Sequence, residues 1–255
     1  MKFKKSTLII WVAVILAFIL RTLQIFCTID QSTGFFIMGK SAFGTFLMAA
    51  VVVLCVVAAF VARFCDFQPN NRVESDKFTA IVSGIVAISL FYEAFNEKFV
   101  FANTTWQAMA MKTVGFLTAT YFAAMLFSAF YSFKIPDYYH ILPAIYMVIR
   151  IICSFIGIGS LSLITENIFL IASYCVLLLF FISYAADKCE VYISGASLYM
   201  RSVLAFMLCL VTALPNLIVN AVSSGNYLHT PLASQVVLTA ITLFIAAFNY
   251  KRFLK

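Results

Sequence analysis

Charge is what this chain has least of. Only 11% of its 255 residues are Asp, Glu, Lys or Arg, while 64% are hydrophobic. Soluble domains carry about 25% charged and about 45–50% apolar residues, so this chain cannot cover a water-facing surface. The shortage excludes disorder, a coiled coil and a secreted disulfide scaffold. It points to an all-α, polytopic membrane helix bundle.

Histidine is nearly missing as well. His140 and His229 are the only two, and they fall toward opposite faces of the expected topology, which excludes a His-based metal site within one chain. The sequence has no His-Glu-x-x-His and no Gly-x-Ser-x-Gly. No His lies deep in a span to activate a serine, and no two aspartates share the membrane interior. No catalytic residue, metal or cofactor is therefore expected, and the chain reads as a non-enzyme. The seven cysteines are odd in number and lack any Cys-x-x-Cys spacing. They read as small apolar filler rather than as a disulfide framework or a zinc site.

What is present is a series of apolar runs. A membrane helix needs about 20 mostly apolar residues. Eight segments qualify: Leu8–Cys27 (or from Trp11), Ser41–Ala62, Phe78–Asn96, Trp106–Phe133, Tyr139–Gly159, Asn167–Ala186, Ser197–Ala221 and Leu232–Tyr250. The last two are divided by the turn cluster Ser223-Ser224-Gly225-Asn226. Pro215 falls inside the seventh and should kink it. The basic start and apolar first run lack a small-x-small cleavage site, so the first span reads as a retained helix rather than a signal.

The net charge of +7 matters less than its placement. With both termini inside, the inner segments hold twelve Lys and Arg, and the outer loops hold only Lys40 and Lys98. That bias satisfies the positive-inside rule and an even number of spans. It places the chain in a cytoplasmic membrane, multi-pass, with both termini cytoplasmic. Basic residues at the ends of apolar runs are not a nucleic-acid face, so no nucleic-acid partner is expected. The largest inner loop, Arg63–Lys77, is too short for a fused catalytic or ATPase module. The short loops and lysine-rich start have a bacterial look. In that setting the Asn103-Thr104-Thr105 sequon carries no weight.

Residues 1–255 read as a single membrane domain, within which a tandem repeat is discernible. Ile19-Leu20-Arg21 aligns with Val148-Ile149-Arg150, Cys65-Asp66 with Cys189-Glu190, and Leu117-Thr118-Ala119 with Leu238-Thr239-Ala240. The matches fall in order, which suggests halves 1–134 and 135–255 in parallel orientation. Eight unrelated spans of similar hydrophobicity would imitate the same pattern.

Four ionisable residues fall within spans: Arg21, Glu93, Lys112 and Arg150. A charge at the bilayer centre costs roughly 2.5–3.5 kcal/mol on insertion scales, so such residues face the bundle and mark function by default. Arg150 shares one helix face with Pro143, Tyr146, Ser154 and Gly157. Arg21 shares one with Gln24 and Thr28. The two arginines, with Gln24, Tyr146 and Ser154, form a candidate mid-membrane site for an anionic group between the halves. Glu93 and Lys112 lie at matching depth on consecutive spans and read as an ion pair across the hairpin, serving as gate or coupling pair. Glu93 is the only acidic residue inside the spans as drawn.

Thr212, Asn216 and Asn220 lie beside Pro215, a pattern shared by broken transporter helices and ordinary kinked ones. The outer segment Thr28–Phe36 reads as a tight turn returning the chain to the membrane. The expected function is a small permease-like transporter, with a small anionic solute or a lipid headgroup as ligand and the bilayer as constant partner. The alternative is a non-transporting membrane subunit or scaffold, whose intramembrane charges pair with a membrane protein partner or with headgroups.

Overall fold

The computed structural model describes residues 3–30, 35–64, 77–96, 104–131, 133–158, 165–222 and 232–250. Lys98, Asn103, the turn cluster at 223–226, His229, the interior of the Arg63–Lys77 loop and residues 251–255 lie outside them.

Within these residues the chain is an all-α bundle of eight helices: α1 (Phe3–Thr28), α2 (Ser41–Arg63), α3 (Lys77–Phe95), α4 (Thr105–Tyr131), α5 (Leu142–Ile158), α6 (Thr165–Lys188), α7 (Gly195–Val222) and α8 (Leu232–Asn249). A 3-10 turn, Asp137–Ile141, leads into α5. All eight segments are long and apolar enough to cross a membrane. The spans read from hydropathy agree with them to within a few residues at most ends. The largest gap is at the start of α1, because hydropathy trims charged and polar end residues that the backbone still winds into helix.

Local sequence explains several ends. Pro143 is the second residue of α5, where a missing N–H costs nothing because first-turn donors have no helical partner. Pro215 lies inside α7, which continues through it to Val222. Between α1 and α2, residues 31–34 of the expected turn lie outside the described residues, and the chain on either side of them is paired. Ile29 and Phe36 form an isolated antiparallel bridge, and the Ile37 N–H donates to the Thr28 carbonyl at 2.9 Å. The Phe36 ring lies over Gly44 of α2, where a Cβ would collide with it.

Helix packing gives the bundle a simple plan. Helices α3, α4, α5, α6, α7 and α8 each pack on the next, and α8 returns to α3, closing a six-membered ring. The α1–α2 hairpin lies outside this ring, against α7. Helices of the first and second halves thus interleave, with α3 on α8 and α2 on α7. With eight crossings, α1 begins and α8 ends at one face, here the termini face; the opposite one is the far face.

The ring interior is filled differently at its two ends. Toward the termini face it holds aromatic rings. Phe122 of α4 lies 5.3 Å from Phe244 of α8 and 6.3 Å from Phe181 of α6. Tyr184 lies 5.8 Å from Phe244 and 5.6 Å from Phe248. Edge-to-face packing of this kind fills space densely. Beside it the Tyr121 hydroxyl and His140 Nδ1 are 2.8 Å apart, so the histidine is buried with a partner rather than left at the surface. The far-face half of the interior is polar.

Candidate functional site

Arg150 sits near the middle of α5, with 2% of its surface exposed. Its guanidinium forms a salt bridge with the Glu93 carboxylate of α3. Nε and Nη2 donate to the Tyr146 hydroxyl at 2.9 and 2.6 Å, and Nη1 donates to the Tyr174 hydroxyl of α6 at 2.7 Å. The Tyr146 hydroxyl in turn donates to Glu93 Oε2 at 2.5 Å. Ser234 of α8 donates to Glu93 Oε1 at 2.5 Å. Four ring helices, α3, α5, α6 and α8, therefore converge on one ion pair. Arg150 and Tyr146 are four residues apart on one helix face, which is why a single hydroxyl can receive two guanidinium bonds.

Arg21 belongs to a second cluster. It lies about two turns before the end of α1 and is fully buried. Nη2 is 2.6 Å from Glu166 Oε1, in the first turn of α6. Nη1 donates to Gln24 Oε1 at 2.5 Å, and the Gln24 amide donates to the Gly44 carbonyl at 2.8 Å. Asn216 of α7 donates to Glu166 Oε2 at 2.9 Å. The Phe169 ring lies 4.2 Å from the guanidinium carbon, in cation–π range. About one turn farther out, Ile25, Ile29 and Val219 pack together with Phe36. This apolar cap closes the cluster on the far-face side.

The sequence reading is corrected at four points. First, the carboxylate of Glu93, assigned across the hairpin to Lys112, is held by Arg150. A hairpin supplies only one neighbour of a helix, and α3 also packs on α8. That turns Glu93 into the ring, where α5 stands opposite. Lys112 remains half-buried on α4, and the nearby Gly115 faces the Tyr146 ring instead of α3. Second, Glu93 is not the only intramembrane acid. Glu166 is the second residue of α6 and 1% exposed. It was missed because a span drawn from hydropathy begins just after it.

Third, Arg21 and Arg150 do not form one anion site. They share no hydrogen-bond partner among the described residues, and each has its own carboxylate. Fourth, Ser154 donates to the backbone carbonyl of Arg150 in its own helix, at 2.7 Å, and not to the Glu93–Arg150 pair. Of the candidates, Arg150, Tyr146 and Glu93 are brought together directly. Arg21 and Gln24 are brought together elsewhere. Tyr174, Ser234 and Glu166 were not singled out. The demand of two buried arginines for two acids could have pointed to Glu166.

A Gly-x-x-x-x-Gly-Lys-Ser/Thr spacing, expected to be absent, is in fact present: Gly34 to Ser41 reads Gly-Phe-Phe-Ile-Met-Gly-Lys-Ser, which matches the phosphate-binding loop pattern. Its context is wrong for that role. The segment follows a membrane helix instead of a strand. Lys40 Nζ is bonded to the Cys27 carbonyl at 3.0 Å, and the Phe36 side chain packs on the bundle.

Chemically, the Arg150 cluster holds an anion already, in the form of the Glu93 carboxylate. A carboxylate or phosphate oxygen of similar size would make the same bonds to the guanidinium and the tyrosine hydroxyl. Among the described residues no group of three or more His, Cys, Asp or Glu is placed to hold a metal ion. Comparison of the chain with known protein families, with curated proteins and with solved structures finds no match.

Proposed function

We propose that this multi-pass membrane protein is a small permease-like transporter in which Glu93 is the exchangeable counter-ion of Arg150. A small anionic solute, or the anionic group of a lipid, competes with Glu93 for the guanidinium. The observation that carries this reading is the convergence of α3, α5, α6 and α8 on one buried ion pair inside a helix ring. Intramembrane charges that face the bundle interior mark ligand or ion pathways by default. The aromatic packing between this pair and the termini face supplies the closed end that alternating access requires. Glu93 then acts as gate or coupling group, with Lys112 on the neighbouring α4 contributing positive charge at similar depth. We place the protein in a cytoplasmic membrane with both termini inside, on the strength of its lysine and arginine distribution, and in a bacterium on its short loops and lysine-rich start. We read it as a non-enzyme, because the sequence carries no recognised catalytic motif.

The test is thermal stability of the detergent-purified protein against a panel of small inorganic and organic anions and anionic lipids. A ligand that binds the native state raises apparent stability by mass action. Wild type should respond to at least one member of the panel. Glu93→Gln, which removes the competing charge, should respond more strongly, and Arg150→Gln should not respond. No response in either wild type or Glu93→Gln overturns the proposal.

A second reading is favoured by one specific observation: every nitrogen of the Arg150 guanidinium already has an internal partner. In a subunit or scaffold the pair would be purely architectural. Glu93→Gln and Arg150→Gln would then lose stability alike, no anion would restore it, and a membrane protein partner would co-purify.

A further inference from the structure

The termini half of the bundle carries a cavity of about 470 Å³ that neither arginine cluster touches. Its floor is α7 and α8, with Val203 and Ala247. Its walls are α1, with Ile10 and Trp11, and α3, with Phe78 and Val82. Trp11, Phe78, Leu243 and Tyr250 at its rim are exposed, so the groove opens sideways on the bundle surface. Polar side chains enter the lining only near the ends of their helices: Thr7 early in α1, Tyr199 early in α7, Asn249 closing α8 and Tyr250 after it. The groove is therefore apolar along its length and polar at the termini face.

We propose that this groove is a binding site for one acyl chain of an anionic phospholipid, whose headgroup sits at the termini face. Three observations support that occupant. The volume falls within the range of roughly 300–1,000 Å³ typical of small-molecule sites. A partner helix about 10 Å across, over one leaflet of about 15 Å, displaces roughly 1,200 Å³, more than twice what is there. The gradient from apolar walls to a polar end matches an amphiphile and no fully polar solute.

The charge at the polar end selects the headgroup. Lys77 is the first residue of α3, exposed and adjacent to Phe78. Lys4 and Lys5 fall in the first turn of α1, just before Thr7. Lys251 and Arg252 directly follow Tyr250 in sequence. Against these five basic positions stand Glu74 and Asp76, which precede α3. Basic residues clustered where helices leave the membrane attract anionic lipid. The site is independent of the Arg150 reading, which concerns the other half of the bundle.

Native mass spectrometry of the full chain in detergent tests the proposal, using phosphatidylglycerol and phosphatidylcholine of equal chain length. Wild type should retain one phosphatidylglycerol with at least tenfold preference over phosphatidylcholine. Ala246→Trp, which fills the groove, should lose retention of both lipids at least tenfold. The triple variant Lys4→Gln, Lys5→Gln, Lys77→Gln removes three of these five charges. It should keep phosphatidylcholine retention while its preference for phosphatidylglycerol falls about tenfold. Equal retention of the two lipids by wild type, or an unchanged preference in the triple variant, overturns the proposal whether or not Ala246→Trp folds.

Discussion

Arg21 and Glu166 stand 145 residues apart in sequence and 2.6 Å apart in space, both buried. Neither charge is tolerable there alone. Removing one partner of a buried pair leaves an uncompensated charge, at a cost of about 3–5 kcal/mol. Glu166→Gln and Arg21→Gln should each cost that order of stability, read by urea unfolding in detergent. Arg21→Leu combined with Glu166→Leu should cost clearly less than the sum of the single changes, because the double change buries no lone charge. A strictly additive result would show that the two side chains do not interact.

The two tyrosines around Arg150 carry different loads. The Tyr146 hydroxyl receives two guanidinium bonds and donates to Glu93, whereas the Tyr174 hydroxyl receives one bond from Arg150. Hydrogen bonds involving a charged group contribute roughly 1.5–3 kcal/mol each. Tyr146→Phe should therefore lower thermal stability more than Tyr174→Phe, by about 2 kcal/mol. Adding Glu93→Gln to Tyr146→Phe should cost less than Glu93→Gln alone, since part of the network is already lost. Equal penalties for the two tyrosines would contradict the observed bonding.

The eight spans and the helical fold are legible in the sequence because hydropathy depends on composition alone, and the bilayer imposes one length on every crossing. The pairing of the buried charges is not. In lipid the outward face of a helix is as apolar as its inward face, so amphipathicity no longer tells which neighbour a residue meets. Arg150 and Tyr146 are visible as one polar face because they lie on one helix at a spacing of four. Glu93, Tyr174 and Ser234 reach the same point from three other helices, and no local pattern in the chain records that meeting. Glu166 was hidden for a simpler reason: a rule that ends spans at charged residues discards an acid in a helix's first turn, although carboxylates are favoured there.

Gly44 offers a test of the cap over the Arg21 cluster. Its missing side chain lets the Phe36 ring lie on α2, while its carbonyl accepts the Gln24 amide. Gly44→Ala should displace Phe36 and cost about 1–3 kcal/mol, as overpacking usually does. Phe36→Ala removes the nearer obstacle and leaves the Thr28 hydroxyl 3.0 Å from the new Cβ. In that background the further change Gly44→Ala should cost clearly less in thermal unfolding. A full penalty in the Phe36→Ala background would mean that Gly44 matters for another reason, such as the approach of Gln24.

Orientation can be read from two exposed positions on opposite faces. Met38 lies between α1 and α2 and is 99% exposed; Tyr192 lies between α6 and α7 and is 92% exposed. In a background lacking the native cysteines, Met38→Cys should react with a membrane-impermeant maleimide on intact cells, and Tyr192→Cys only after the membrane is opened. The reverse pattern would invert the topology and, with it, the assignment of the lipid groove to the cytoplasmic leaflet. A second background that keeps Cys189 as its one cysteine supplies a control on the Tyr192 side. Partial burial raises its thiol pKa above the usual value, and the Asp137 carboxylate adds to that. Only the thiolate reacts, so a raised pKa means less reactive species at neutral pH. In opened membranes Cys189 should label more slowly than Tyr192→Cys at pH 7, and the gap should narrow as pH rises toward the thiol's own pKa. A gap independent of pH would assign the slow labelling to steric shielding by the 3-10 turn that carries Asp137, and not to its charge.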